Sequence, residues 1–185
     1  LTDAIAQVAM DTIIRPTMAE MVRRGMPYQG VLYAGLMIQN GTPRLVEYNV
    51  RFGDPECQVL MMRLGAQVLD LMLAAAEGRL HGMSVSWADD HAITVVMAAQ
   101  GYPGPYAKGR EIGGLSNCPE DSEHMVFHAG TRAENGRILA DGGRVLNVTA
   151  RAASLAKAHK EAYAMVDLLD WPEGFCRRDI GWRAL

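Results

Sequence analysis

No apolar run in this 185-residue chain approaches the roughly 20 residues that a helix needs to cross a bilayer. The most apolar stretches, 60–62 and 69–76, are broken by Arg63, Gln67 and Asp70 and read as a buried helix of a soluble protein, so no membrane partner is expected. Positive charge is not in excess. Eighteen Lys and Arg stand against 21 Asp and Glu, a net charge of −3, which gives no basic footprint for nucleic acid. Cysteine is scarce: Cys57, Cys118 and Cys176 are odd in number and widely spaced. That excludes a disulfide framework and a zinc site, and points to a reducing, cytoplasmic compartment. Leu1-Thr2-Asp3-Ala4 has neither the basic nor the apolar segment of a secretory signal, and no initiator Met, so it reads as a start inside a longer polypeptide. Internal repeats and low-complexity segments are absent as well.

What remains is an ordinary globular balance, 49% hydrophobic and 21% charged, enough for one large domain or two small ones. Thr2 or Asp3 can cap a helix that begins near Ala4 and ends at Arg23-Arg24-Gly25, with Pro16 dividing or kinking it. Two strands, 31–38 and 44–52, flank Asn40-Gly41 and predict an antiparallel hairpin. Asp54-Pro55-Glu56 then reads as N-cap, first position and acidic first turn of a helix running to Gly78. Residues 81–90 look like a change of unit. Beyond them strands are expected at 92–99, 125–129, 137–140 and 145–150, with turns at Asn135-Gly136 and Asp141-Gly142-Gly143. Ser154 should cap a last helix, 155–169. The fold class is therefore α+β.

The chemistry is concentrated in residues 46–56. On a strand, Val46, Tyr48, Val50 and Phe52 would face the core, while Glu47, Asn49 and Arg51 form a row on the other face. A carboxylate and an amide oxygen suit Mg²⁺, which takes one or two carboxylates plus substrate phosphates. A guanidinium beside them can pair with phosphate oxygens and stabilise a transferring phosphoryl group. A mixed-charge outer face is also what any half-exposed sheet shows, so periodicity alone leaves both readings open.

Arg51-Phe52-Gly53-Asp54-Pro55-Glu56-Cys57-Gln58 resembles the signature of the glycinamide ribonucleotide synthetase family. The resemblance runs the length of the chain, through YQGVLYAGLMI (28–38), VMAAQGYPG (96–104), FHAGT (127–131), GGRVLNVT (142–149) and RDIGWRAL (178–185). It implies an ATP-grasp ligase of purine synthesis, consuming ATP and joining glycine to 5-phosphoribosylamine through an acyl phosphate. It also implies that Glu47 and Asn49 bind Mg²⁺ or Mn²⁺ bridging the ATP phosphates, and that Arg51 faces the reacting phosphate as the catalytic group. Family chains are about twice as long. The resemblance therefore implies the last ATP-grasp segment over 1–82, a small β-rich carboxy-terminal domain over 83–185, and a missing amino-terminal half as partner. This portion alone is expected to be inactive.

Other candidates are simpler to assign to structure. Asp54 could touch substrate but suits a helix N-cap better. Lys108 and Arg110 follow the Gly-Pro loop, where they could meet a ribose phosphate or stand solvated. Arg177 and Arg178 could pair internally or face a cleft. His124 and His128 would share a strand face, with no further metal ligand nearby in sequence. Two alternatives to the glycine ligase are a non-catalytic module that keeps the framework for packing against a partner, and a related ATP-grasp ligase acting on another acid. The intact Glu47–Asn49–Arg51 row argues against the first, and the RFGDPE and RDIGWRAL runs against the second.

Overall fold

A computed structural model describes residues 2–185; Leu1, at the head of the expected first domain, lies outside the described residues. The chain forms two compact units. The first contains the chain up to Gly53 together with Ala66–Ser84, and the second contains Asp54–Gly65 and Val85–Leu185.

The first unit opens with helix α1 (Asp3–Ala9), whose N-cap Thr2 accepts from the Ile5 amide. A π-helical segment, Met10–Ile14, leads into α2 (Arg15–Arg23). Pro16 lies at the second position of α2, directly after the π segment, so the expected division takes the form of a π segment rather than a break. The helix ends in a Schellman motif. Met26 donates to the Met21 carbonyl and Gly25, at φ +72°, to that of Val22. Strands β1 (Tyr33–Gln39) and β2 (Thr42–Asn49) then pair antiparallel. Asn40 and Gly41 take φ values of 50° and 76°, the left-handed pair that a two-residue hairpin requires.

Helix α3 (Glu56–Leu64) belongs to the second unit and α4 (Gln67–Ala76) to the first. The single helix expected from sequence is broken at Gly65, which takes φ +58°. Gly78 ends α4 in a second Schellman motif, through Gly78 to Ala75 and Arg79 to Ala74.

The second unit is built on β3 (His91–Ala99), β4 (Arg110–Glu111), β5 (His124–His128), β6 (Thr131–Glu134), β7 (Arg137–Ala140), β8 (Arg144–Ala152) and β9 (Gly174–Phe175). All the pairings are antiparallel, in a sheet ordered β5-β8-β3-β9 and a smaller one ordered β4-β7-β6. The central strands β3 and β8 are buried on both faces, which is why they are rich in apolar residues rather than strictly alternating. One face joins Ile93, Val95, Met97, Leu146 and Val148 to Ala158, Ala162, Met165 and Val166 of α5 (Leu155–Val166) in the core. Ser154 caps α5 through the Lys157 amide, as expected; the helix ends at Val166, three residues short of the predicted 169. The other face is more polar: Thr94 and Thr149 share a buried hydroxyl–hydroxyl bond of 2.7 Å, and Arg151 donates to the Met62 carbonyl of α3. The strands β4, β6 and β9 were not expected. β4 and β9 have two residues each, too short to show a period, and the four residues of β6, Thr-Arg-Ala-Glu, include no large apolar side chain.

Candidate functional site

The β1–β2 hairpin positions the first pair of site residues. Gly35 lies opposite Glu47, and the register then slips, so that Leu36 faces Leu45 and Val46 has no partner. This is a β-bulge, and it interrupts the strict alternation expected of the strand. Beyond the bulge, Glu47 and Asn49 share a face. The Asn49 amide donates from Nδ2 to Glu47 Oε1 at 3.1 Å. Gly35 makes room for this arrangement, since a Cβ there would stand 3.2 Å from Glu47 Cγ. Tyr48, between the two, turns the other way. Its hydroxyl lies 2.6 Å from Thr17 Oγ1 and donates to the Ile13 carbonyl at 3.3 Å, tying β2 to the π segment and α2.

With the amide nitrogen engaged, the oxygen of Asn49 and the carboxylate of Glu47 are hard donors of the kind that Mg²⁺ or Mn²⁺ takes. Among the described residues no group of three or more His, Cys, Asp or Glu could hold a metal ion. A cation here would complete its shell from water or phosphate, as Mg²⁺ ordinarily does.

The row does not extend to Arg51 in the way that strand alternation predicted. β2 ends at Asn49, and the backbone bends at Val50 and Arg51. Arg51 is exposed and donates from Nη1 to the Phe52 carbonyl at 2.7 Å. Val46 and Val50 were expected in the core but are 66% and 70% exposed, the first on the bulge and the second past the end of the strand.

Asp54 does not cap α3. The helix begins at Glu56 with Pro55 at the cap position and no side-chain cap bond. The Asp54 carboxylate instead accepts from Arg144 Nη2 at 2.7 Å. The carboxylate thus takes a charge-assisted bond from a guanidinium in place of one from a helix amide. Sequence reasoning did not single out Arg144, although Gly142-Gly143-Arg144 stood within a recognised motif.

The remaining candidates, His128 apart, have carboxylate neighbours. Lys108 lies 3.7 Å from Asp141, and Arg110 lies 3.6 Å from Glu173. Arg177 pairs with Asp179, and Arg178 with Asp167, each at 2.7 Å. His124 bonds Asp121 through Nδ1 at 3.0 Å, and His128 lies 2.9 Å from Thr131 Oγ1. All three cysteines are free thiols. Burial pushes the Cys57 thiol above its usual range, and the nearby Asp54 charge adds to this.

Comparison with known proteins gives two family matches. Residues 92–183 match "Phosphoribosylglycinamide synthetase, C domain" and residues 1–57 match "Phosphoribosylglycinamide synthetase, ATP-grasp (A) domain". The chain is 52% identical over 185 residues to a phosphoribosylamine–glycine ligase of Mesorhizobium japonicum, covering 100% of this chain and 43% of that protein. It is 49% identical over 189 residues to a chloroplastic phosphoribosylamine–glycine ligase of Arabidopsis thaliana, covering 36% of that protein. A crystal structure of phosphoribosylamine–glycine ligase from Thermotoga maritima superimposes with a TM-score of 0.85 at 30% identity, over 97% of this chain and 44% of that one. The chain thus spans less than half the length of these relatives.

Proposed function

The chain belongs to the phosphoribosylglycinamide synthetase family, and on that footing we propose that it is the carboxy-terminal portion of an ATP-dependent ligase joining glycine to 5-phosphoribosylamine. In this reading residues 1–82 supply the last ATP-grasp segment and residues 83–185 the β-rich domain. The family matches over 1–57 and 92–183 fall inside these spans and support the division.

The observation that carries the reading is the Glu47–Asn49 pair, hydrogen-bonded at 3.1 Å with Glu47 opposite a glycine. Those two side chains would hold Mg²⁺ or Mn²⁺. The cation would neutralise charge on the ATP phosphates while the γ-phosphoryl group is transferred.

In the reaction proposed, a glycine carboxylate oxygen attacks the γ-phosphorus of ATP, and ADP leaves. The amine nitrogen of phosphoribosylamine then attacks the acyl carbon. The carbon–oxygen bond to phosphate breaks, the nitrogen loses a proton, and glycinamide ribonucleotide and phosphate are released. Arg51 is the catalytic group, exchanging its bond to the Phe52 carbonyl for oxygens of the transferring phosphoryl group. Asp54, Lys108 and Arg110 have a lesser claim to substrate. Each faces an opposite charge that a phosphate would have to displace or share.

The partner of this portion is the amino-terminal part of the same protein. Its support is apolar surface: Val22, Met37, Val46, Val50 and Leu69 of the first unit are each 60% or more exposed. A partner segment that covered these side chains would remove their apolar surface from water. We place the protein in the cytoplasm on its three free thiols; among the described residues no single helix is long and apolar enough to cross a membrane.

The test is ADP release by the complete polypeptide, supplied with ATP, Mg²⁺, glycine and phosphoribosylamine. Release that needs both glycine and the amine supports the ligase. No release from the folded complete protein would favour a packing module without catalysis.

A further inference from the structure

His124 opens β5, the edge strand of its sheet, with a carboxylate at each of its ring nitrogens. Nδ1 lies 3.0 Å from Asp121 Oδ1 and 3.2 Å from Oδ2, in the turn that leads into the strand. Nε2 lies 3.6 Å from Glu161 Oε2 of α5. The amides of Glu123 and His124 fix the Asp121 carboxylate at 2.7 and 2.9 Å, and the first of them is the main cause that holds it below its ordinary value. Glu161 Oε2 is a buried atom with no hydrogen-bond partner among the described residues, and Oε1 lies 3.5 Å from Lys157 Nζ. From α5 the charged groups at the ring are therefore Glu161 and, behind it, Lys157. β8 places Ala150 opposite His124, and the neighbouring Arg151 is engaged with Asp90 and the Met62 carbonyl.

A neutral imidazole has one N–H. In one tautomer that N–H serves Asp121, and a bare lone pair faces Glu161. In the other it serves Glu161, and the lone pair faces Asp121. Only the imidazolium serves both carboxylates, and its second N–H fills the orphaned Oε2.

We infer that His124 is a pH-sensitive clamp that ties β5 to α5 when protonated and releases the strand from the helix when neutral. The clamp closes as pH falls through the range in which imidazoles titrate, about pH 8 to 5, and opens as it rises. An edge strand has one neighbour to hold it, so a single tether shifts its local opening. The device lies wholly within the second unit and does not depend on the ligase reading.

The test is hydrogen exchange of the complete polypeptide, read by mass spectrometry at about pH 8 and about pH 5.5 and corrected for the intrinsic exchange rate at each. Peptides spanning β5 should gain protection by about 5-fold or more at the lower pH, as for one partly exposed charge-assisted bond. The gain should vanish in His124→Gln, which keeps a polar side chain that does not titrate. It should fall below about 2-fold in Glu161→Gln, which keeps the shape and removes the charge. Lys157→Gln should leave it in place.

A gain that survives in folded His124→Gln would belong to another group and overturn the inference. So would a full gain in Glu161→Gln, which would leave Asp121 as the sole partner, or no gain in the wild type. If His124→Gln does not fold, Glu161→Gln decides: a lost gain upholds the clamp, and a full gain overturns it.

Discussion

Gly35 faces Glu47 across the β1–β2 hairpin, and the absence of a side chain on the first gives room to the second. A Cβ on residue 35 would come within 3.2 Å of Glu47 Cγ and 3.6 Å of its carbonyl oxygen. Contact that close forces the neighbour to move. Gly35→Ala is therefore expected to shift the Glu47 side chain by a few tenths of an ångström and to weaken Mn²⁺ binding by the complete polypeptide modestly, read by isothermal titration. The backbone at Gly35 is not left-handed, so the unfolding temperature should move little. Unchanged Mn²⁺ affinity would show that Glu47 needs no such clearance.

The core of the second unit makes a stability forecast. Leu146 is fully buried on the α5 face of the central strand β8. Leu146→Ala should cost about 2–5 kcal/mol of unfolding free energy, through lost transfer energy and the cavity left behind. Denaturant titration checks this, and a loss below about 1 kcal/mol would mean that the site collapses freely.

The hairpin at Asn40-Gly41, the strands β3, β7 and β8 and the Ser154 cap were all legible in the sequence. Each rests on a local signal: a turn dipeptide, an apolar run, or a capping hydroxyl ahead of a helical period. The failures came where tertiary partners decided the outcome. Asp54 before Pro55 reads as a cap until Arg144 arrives from 90 positions away. The alternation of 44–52 predicted three aligned side chains, and two were found together. The Val46 bulge and the bend at Arg51 depend on the partner strand and on the chain leaving the sheet, and neither has a residue signature here. Glu47 and Asn49 escaped the error because they lie on the same side of the bulge.

Acid should weaken the fold through its paired surface carboxylates. Arg23, then Arg24, holds Glu20 below its ordinary value of 4.5, and Arg177 holds Asp179 below 3.8. A carboxylate whose value is lowered by folding stabilises the native state above its ordinary value. That contribution is lost as pH falls through the lowered one. Both groups are exposed, so the effect is small and screened by salt. Unfolding temperature measured from pH 5 downward should fall in the wild type and fall less in Arg23→Gln/Arg24→Gln. An equal fall in that variant would remove Glu20 from the account.

The thiols should be slow to react. Burial raises Cys118 and Cys176 above the ordinary 9.0, and burial with the Asp54 charge raises Cys57. All three are then protonated near neutrality, and the thiolate is the reactive form. Alkylation by iodoacetamide at pH 7 should be slower than for a free cysteine and should accelerate well above pH 9. Rapid labelling of Cys57 at pH 7 would contradict this environment.

The most direct test of the central claim is the Mg²⁺ dependence of glycine-dependent ADP release by the complete polypeptide, with Glu47→Gln measured beside the wild type. Gln keeps the shape and removes the charge. The expected result is a folded variant, judged by circular dichroism and unfolding temperature, whose release falls by about 100-fold or more, as for loss of a transition-state charge partner. Its Mg²⁺ requirement should also shift to higher concentration. A folded Glu47→Gln protein with wild-type turnover and wild-type Mg²⁺ dependence would contradict the assignment of this strand as the metal and phosphate site.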